Sequence, residues 1–146
     1  MLIRKHLRPT PRVEWGRKLA LSGCASAMID VSDGLSSDLF HICEQSGAGA
    51  EILADGIPLS AALRTLSGKL ARPALQYALS GGEDYELLFT VPPARAKKLR
   101  SLKLPLTEIG SITSGKTISL VDTRGRKQPL LPTGYEHFPR GRKQAK

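Results

Sequence analysis

Short apolar runs separated by glycine, proline and polar residues form the basic pattern of this 146-residue chain. Apolar residues at helical spacing predict helices over Arg12–Ser22, 35–46, 60–66, 73–79 and 94–102. Runs rich in β-branched and aromatic residues predict strands over Ala27–Val31, Ala50–Ala54, Tyr85–Val91, Thr107–Ile112 and Thr117–Val121. Because strands and helices intermix without strict alternation, we expect the α/β (α+β) class, with a mixed β-sheet and helices packed against it.

The chain has the length of one domain with a proper core. We predict a single domain over residues 1–138 and a basic, disordered tail over 139–146. No apolar stretch reaches the ~18 residues of a membrane span, and the N-terminus lacks the apolar region of a signal peptide. Cys24 and Cys43 form no CxxC motif, so neither a disulfide framework nor a zinc site follows, and we expect a cytoplasmic protein.

The net charge of +9 points to nucleic acid only until its distribution along the chain is considered. Residues 1–20 contain six Lys/Arg and one acidic residue, and 124–146 contain seven and one. Residues 21–123 contain nine basic and eleven acidic side chains, so the body of the domain is slightly acidic. No aromatic residues interleave the basic tail to stack on bases, which argues against nucleic-acid binding.

One segment, Gly110-Ser-Ile-Thr-Ser-Gly-Lys-Thr117, matches the P-loop pattern GxxxxGK[ST]. A true P-loop continues into a helix whose N-terminus faces the phosphates. Here the following residues are β-branched and alternating, which predicts a strand, and no Walker B-type strand comes after them. We therefore reject the P-loop and interpret the segment as a Ser-Gly hairpin with Lys116 exposed.

The first of two acidic clusters, Asp30-Val-Ser-Asp-Gly-Leu-Ser-Ser-Asp38, lies where a predicted strand meets the helix that begins at Leu35. Asp30 and Asp33 supply carboxylate oxygens for a hard cation, and Mg²⁺ takes such ligands while keeping waters and substrate phosphates. The helix N-terminus also presents free N–H groups to an anion. The alternative is purely structural: Ser32 or Asp33 caps the helix, and Asp38 is solvated.

The second acidic cluster, Ser80-Gly-Gly-Glu-Asp-Tyr-Glu86, precedes the strongest predicted strand. Its paired glycines allow the backbone to approach a ligand closely, and Glu83 and Asp84 follow them. Taken alone, the segment is also typical of an ordinary turn. Two junctions that combine carboxylates with glycines, in a slightly acidic body, together favour a site for a cationic or metal-bound polyphosphate ligand.

Three segments in order resemble the thiamine-monophosphate kinase family, within the aminoimidazole ribonucleotide synthetase-like superfamily: Ala27–Leu39, Leu79–Phe89 and Gly134–Phe138. The Gly-Gly-Glu-Asp-Tyr-Glu-Leu run points to the thiamine branch, and the likeness covers nearly the whole chain. The resemblance implies a C-terminal domain of the aminoimidazole ribonucleotide synthetase-like type. It also implies ATP-dependent phosphorylation of thiamine monophosphate to thiamine diphosphate, with Mg²⁺.

On the family's pattern, Asp30 and Asp33 would bind Mg²⁺ and Ser32 would contact ATP. Glu83 would contact thiamine monophosphate, and Tyr135 would lie against its rings, since an aromatic face attracts the cationic thiamine. For Tyr135 the alternative is an aromatic anchor of the C-terminal loop. The resemblance implies no catalytic protein nucleophile, because metal charge and in-line positioning carry phosphoryl transfer.

Members of this family are longer and carry an N-terminal domain ahead of these motifs, with most metal-binding aspartates and the dimer interface. We therefore expect this chain to be part of a kinase and to be inactive alone. Its expected partners are the N-terminal domain and, in the full-length enzyme, a second copy in a homodimer. The alternative is a stand-alone ligand-binding or regulatory module of the same fold without catalysis.

Overall fold

The computed structural model describes residues 7–134, so Tyr135 and the predicted tail at 139–146 lie outside the described residues. The helices are α1 (Val13–Ser22), α2 (Leu35–Ser46), α3 (Ala61–Leu66), α4 (Ala74–Ser80) and α5 (Ala96–Ser101), with short 3₁₀ turns at Ser67–Lys69 and Pro93–Arg95. The strands are β1 (Ala27–Asp30), β2 (Gly49–Leu53), β3 (Leu87–Thr90), β4 (Gly110–Thr113), β5 (Ile118–Val121) and β6 (Lys127–Pro129).

The described strands form two sheets. β1 and β3 pair antiparallel, and this register places Asp30 opposite Leu87. The other four strands form a mixed sheet in the order β4-β2-β5-β6, in which β2 and β5 run parallel and the other pairs antiparallel. The predicted α/β class with a mixed sheet and packed helices is confirmed.

The hairpin predicted for the P-loop-like segment is wrong, because β2 lies between β4 and β5. The connection at 114–117 therefore crosses over the start of β2. Gly49 makes room for this crossing, since a Cβ there would collide with the carbonyl oxygens of Thr117 and Gly115. The rejection of the P-loop is confirmed: Lys116 is exposed, and a strand rather than a helix follows it.

Three helix ends lie where the sequence predicts them. Glycines in the left-handed conformation end two helices, and a serine caps the start of a third. Gly23 and Gly47 follow α1 and α2 with φ of 63° and 62°, a conformation that glycine adopts without steric cost. The Ser60 hydroxyl accepts a hydrogen bond of 3.1 Å from the backbone N–H three residues later and so caps α3. No helix within residues 7–134 is long and apolar enough to cross a membrane.

A single apolar cluster, centred on α2, joins the two sheets. Leu39 of α2 is 2% exposed and belongs to the same buried cluster as Leu88 of β3 and Ile118 of β5. Cys43 lies in this cluster as a free thiol, and burial raises its pKa. Cys24 is also a buried free thiol. Both cysteines therefore pack as apolar residues, as expected for a chain without a disulfide framework.

Candidate functional site

Backbone hydrogen bonds bring the two acidic clusters together. β1 ends at Asp30, and a short loop over 31–34 leads into α2. The 80–86 segment lies along this loop: the N–H groups of Glu83 and Tyr85 donate to the carbonyls of Ser32 and Val31, at 2.8 and 2.9 Å. Two segments about 50 residues apart in the sequence therefore form one continuous wall of a site.

A buried carboxylate, that of Asp38, organises the first cluster. Its side chain is 2% exposed, so the predicted solvated position is wrong. One oxygen, Oδ2, accepts hydrogen bonds from the backbone N–H groups of Ser32, Asp33 and Gly34, at 3.0, 3.2 and 3.2 Å. Burial raises the pKa of Asp38, and the three N–H donors act in the opposite direction. Asp38 lies one turn into α2, so its side chain can reach back to hold that loop.

The capping alternative for Ser32 and Asp33 is also wrong. The N-cap of α2 is Gly34, and no side chain makes a cap hydrogen bond there. Gly34 has φ of 117°, which a residue with a Cβ rarely adopts, and an added Cβ would lie 3.1 Å from the Leu79 carbonyl oxygen. Ser32 and Asp33 are therefore left in the loop, and neither serves the helix end.

A third segment, at 133–134, reaches the same place through the first turn of α2. The Ser36 hydroxyl, 1% exposed, donates to the Leu79 carbonyl at 2.9 Å and accepts from the Thr133 N–H at 3.2 Å. The Ser37 hydroxyl accepts from the Gly134 N–H at 2.9 Å. Gly134 fits closely, because a Cβ there would collide with the Asp33 carbonyl. Residues 133 and 134 therefore lie beside the first cluster, and Tyr135 lies outside the described residues.

The 80–86 loop holds two non-glycine residues in the left-handed region. Glu83 has φ of 67° and Tyr85 has φ of 49°. Such a conformation is uncommon for residues with a Cβ and persists where surrounding contacts fix it. Gly82 allows the close approach, since a Cβ there would lie 2.6 Å from the Ser32 carbonyl oxygen. The left-handed turn at Tyr85 explains why β3 begins at Leu87, two residues later than the sequence predicts.

An ion pair, which the sequence did not reveal, ties α1 to this loop. Arg12 Nε and Nη2 donate to the two carboxylate oxygens of Glu86 at 2.9 and 2.6 Å. The Arg12 guanidinium also lies 4.5 Å from the centre of the Trp15 ring. The hydrogen bond to Glu86 is the main cause that raises the pKa of Arg12. No short-range signal joins residues 74 positions apart, so only the fold identifies this pair.

The two predicted metal ligands, Asp30 and Asp33, offer carboxylate oxygens. Asp30 is exposed at the end of β1, and Asp33 is half-buried in the loop. Carboxylate oxygens of this kind suit Mg²⁺, which usually retains waters and substrate phosphates beside one or two protein ligands. Within residues 7–134 no group of three or more His, Cys, Asp or Glu side chains is arranged to hold a metal ion. The donor chemistry therefore fits Mg²⁺ as a shared ion, with further ligands from outside these residues.

This chain is similar to known proteins along nearly its whole length. The family model described as AIR synthase related protein, C-terminal domain, matches residues 3–123. The thiamine-monophosphate kinases of Aquifex aeolicus (strain VF5) and Haemophilus influenzae are 40% and 49% identical to this chain, over 94% of it and over 41% and 43% of their own lengths. The chain therefore spans about two-fifths of the length of these curated relatives, and the resemblance to the thiamine-monophosphate kinase family is confirmed.

Solved structures give the same relationship. AaThiL complexed with AMPPCP and TMP is similar with a TM-score of 0.77 and 39% identity, over 94% of this chain and 41% of that one. Thiamine-monophosphate kinase from Stenotrophomonas maltophilia K279a is similar with a TM-score of 0.70 and 45% identity, over 80% of this chain and 37% of that one. The Escherichia coli hydrogenase maturation protein HypE, at 21% identity and a TM-score of 0.71, shares the fold.

Proposed function

The chain belongs to the AIR synthase related protein, C-terminal domain family, and we propose from this premise that it forms the substrate-side part of a thiamine-monophosphate kinase. The reaction is transfer of a phosphoryl group from ATP to thiamine monophosphate. The observation that carries the proposal is the convergence of two segments, 80–86 and 133–134, on the 30–38 segment that joins β1 to α2. The relative complexed with AMPPCP and TMP supports both the nucleotide and the substrate.

Each site residue is proposed to have the role that the family resemblance implies. Asp30 and Asp33 hold Mg²⁺, which neutralises phosphate charge when bound, and Ser32 contacts ATP from the loop between them. Glu83 contacts thiamine monophosphate from the neighbouring 80–86 loop. Tyr135, which follows Gly134 directly, lies against the thiamine rings. The site acts by positioning and charge, so no residue of this chain is assigned as a nucleophile.

Activity is proposed to need more protein than these 146 residues provide. The matched relatives are more than twice as long as this chain, and the family resemblance implies that most metal-binding aspartates lie in the N-terminal domain. The partner would be an N-terminal domain, and the complete enzyme would be a homodimer. A cytoplasmic location stays a prediction.

A chimaera tests the kinase proposal. In it, this chain replaces the matched segment of the Haemophilus influenzae kinase, and formation of thiamine diphosphate from thiamine monophosphate and ATP is measured with Mg²⁺. We expect activity from the chimaera and none from the chain alone. Robust activity from the chain alone would contradict the requirement for further protein. A folded but inactive chimaera would favour the stand-alone ligand-binding or regulatory module.

The Asp33→Asn variant of the chimaera tests the metal role. We expect the Mg²⁺ concentration for half-maximal activity to rise about ten-fold or more, because the substitution removes a charged ligand. Stability should change little, since the Asp33 side chain does not cap α2. Asp55→Asn is the matched control, an exposed aspartate outside the three segments. An Asp33→Asn variant that keeps the Mg²⁺ dependence of the parent would overturn this assignment.

A further inference from the structure

We propose that Arg12 is a positioning residue for thiamine monophosphate: by pairing with Glu86 it holds the 80–86 loop in the conformation from which Glu83 contacts the substrate. This role rests on the proposed kinase function and extends it to the residue that precedes α1. Arg12 and Glu86 are 74 positions apart in the sequence. The family resemblance assigns neither of them to metal, ATP or substrate.

The ion pair fixes the direction of the Glu86 side chain as well as its distance. Arg12 donates from two nitrogens, Nε and Nη2, to the two carboxylate oxygens of Glu86. A planar guanidinium that binds both oxygens at once leaves the carboxylate one orientation. The Trp15 ring lies 4.5 Å from the same guanidinium, and this cation–π contact favours one placement of the Arg12 side chain. The Glu86 carboxylate is therefore held from the start of α1.

Helix α1 gives Arg12 a fixed base beside the site. Leu19 of this helix is 1% exposed. An added Cβ at Gly16 would lie 3.7 Å from Cδ1 of Leu87 and 4.0 Å from Cε of Met28, so this face of α1 packs directly on β3 and β1. Leu87 is the first residue of β3 and directly follows Glu86. Arg12 therefore reaches the loop from a helix that is anchored on the strand pair beneath it.

The first acidic cluster holds the same loop from its other side. Val31 exchanges two backbone hydrogen bonds with it: its N–H donates to the Glu86 carbonyl at 2.8 Å, and its carbonyl accepts from the Tyr85 N–H at 2.9 Å. Glu83 and Tyr85 are left-handed, a conformation that such residues keep where surrounding contacts fix it. Arg12 supplies a side-chain contact one residue after Tyr85. Its loss should loosen the loop and leave the predicted metal ligands in place.

The exposure of the ion pair separates positioning from global stability. The side chains of Arg12 and Glu86 are 25% and 50% exposed. Ion pairs that solvent reaches contribute little to the stability of a folded protein. We therefore expect variants of either residue to fold and to keep the melting temperature of the parent. A change in substrate binding can then be measured in folded protein.

The test is a double-mutant cycle in the chimaera, with Arg12→Ala, Glu86→Ala and the two combined. We expect each single variant to raise the KM for thiamine monophosphate about three-fold or more, with the Mg²⁺ concentration for half-maximal activity within two-fold. The double variant should be no worse than the single variants, because the two residues act as one unit. Arg17→Ala, at an exposed arginine of the same helix, is the matched control and should keep the KM of the parent.

Two results of this cycle would overturn the proposal. An unchanged KM in both single variants would show that the ion pair does not position the substrate. Independent effects that multiply in the double variant would show that Arg12 acts without Glu86, as a direct contact to the substrate would.

Amide exchange in the 146-residue chain tests the same role without kinase activity. In Arg12→Ala the amides of Glu83 and Tyr85 should exchange about three-fold faster or more than in the wild type, because the loop opens locally. The amides of Leu53 and Ala54, which donate to carbonyls within the four-stranded sheet, should not change. Unchanged exchange in the loop, or equally faster exchange at all four amides, would overturn the positioning role. If the chimaera is inactive but only the loop amides change, the kinase proposal fails and the positioning of the loop stands.

Discussion

The four-stranded sheet and the region around β1 and β3 reach their order by different means. In the four-stranded sheet, β2 is paired on both sides, and buried apolar residues such as Ala50, Ile52 and Leu120 cover one face. Around β1 and β3 the part of the chain that the structure describes contributes only two paired strands, and side chains that bond to backbone groups hold the adjoining loops. Ser36, Ser37 and Asp38 supply those bonds from one helical turn.

This difference means that the four-stranded sheet and the candidate site are stabilised by different kinds of contact. Many small apolar contacts hold the sheet, so no single side chain decides its geometry. A few polar bonds hold the candidate site: side chains of α2 bond to backbone groups, and backbone hydrogen bonds join the 80–86 loop to residues 31–32. The site region also carries the left-handed conformations at Glu83 and Tyr85. We therefore expect substitutions in the two regions to differ in their effects on the free energy of unfolding and on amide exchange.

The largest effect is expected where the two regions meet, at Leu39. This side chain is 2% exposed and lies in the cluster that contains both Leu88 of β3 and Ile118 of β5. Leu39→Ala should lower the free energy of unfolding by about 2–5 kcal/mol, measured by urea denaturation, because it removes buried methyl groups and leaves a cavity. Leu21→Ala, at a residue 77% exposed, is the control and should stay within about 0.5 kcal/mol.

The shape of the urea-unfolding curve of Leu39→Ala is as informative as its midpoint. A single cooperative transition, observed by two spectroscopic probes, would show that the shared core unites both regions. Two separated transitions would contradict the common core and would make the regions independent folding units.

A smaller effect, confined to the sheet, is expected from Gly110→Ala. A Cβ at Gly110 would collide with the Glu51 carbonyl and lie 2.9 Å from the Ile52 Cα, and backbone atoms of a paired strand cannot move aside easily. We expect a loss of about 1–3 kcal/mol in the free energy of unfolding. Gly115→Ala is the matched control, since nothing lies within 4 Å of a Cβ there. Amide exchange at Ser32–Gly34 should remain slow in both variants; faster exchange there in Gly110→Ala would break the separation of the regions.

Local signals predicted the elements of this fold well and their pairing poorly. Glycines at 23 and 47 and the serine at 60 end or begin helices where expected, because capping depends on residues within one turn. The order β4-β2-β5-β6 depends on contacts across more than 60 residues, and no adjacent pattern specifies it. β6 (Lys127–Pro129) is not among the predicted strands, because its residues are polar and include a proline.

The candidate site, too, could be predicted only in part from the sequence. The sequence identified Asp30, Ser32, Asp33 and Glu83 as site candidates, and the structure brings Ser32 and Glu83 together through a backbone hydrogen bond. The prediction of a solvated Asp38 is wrong, although an aspartate four residues into a helix is usually exposed. The signal that was available is the run of N–H groups preceding the helix, which need acceptors once the loop is buried. The metal and substrate roles stay predictions.

The smallest effect is expected at Asp122, which directly follows β5 and, like Asp38, accepts hydrogen bonds from nearby backbone N–H groups. Its Oδ1 accepts from the N–H groups of Arg124 and Arg126 at 2.8 and 2.9 Å, and its Oδ2 pairs with the Arg126 guanidinium at 2.7 Å. Hydrogen bonds from the Arg126 backbone and side chain lower the pKa of Asp122 below its usual value near 3.8. The side chain is 33% exposed, whereas Asp38 is buried.

The sign of the pH dependence follows from the lowered pKa of Asp122. Its stabilising contribution is fully present above the pKa of the unfolded chain, and protonation removes it as the pH falls through the lower pKa of the folded state. Between about pH 5 and pH 3 the melting temperature of the wild type should therefore fall slightly more steeply than that of Asp122→Asn, measured by calorimetry. Asp55→Asn should keep the wild-type slope. Equal slopes in the wild type and Asp122→Asn would contradict a stabilising contribution from these hydrogen bonds.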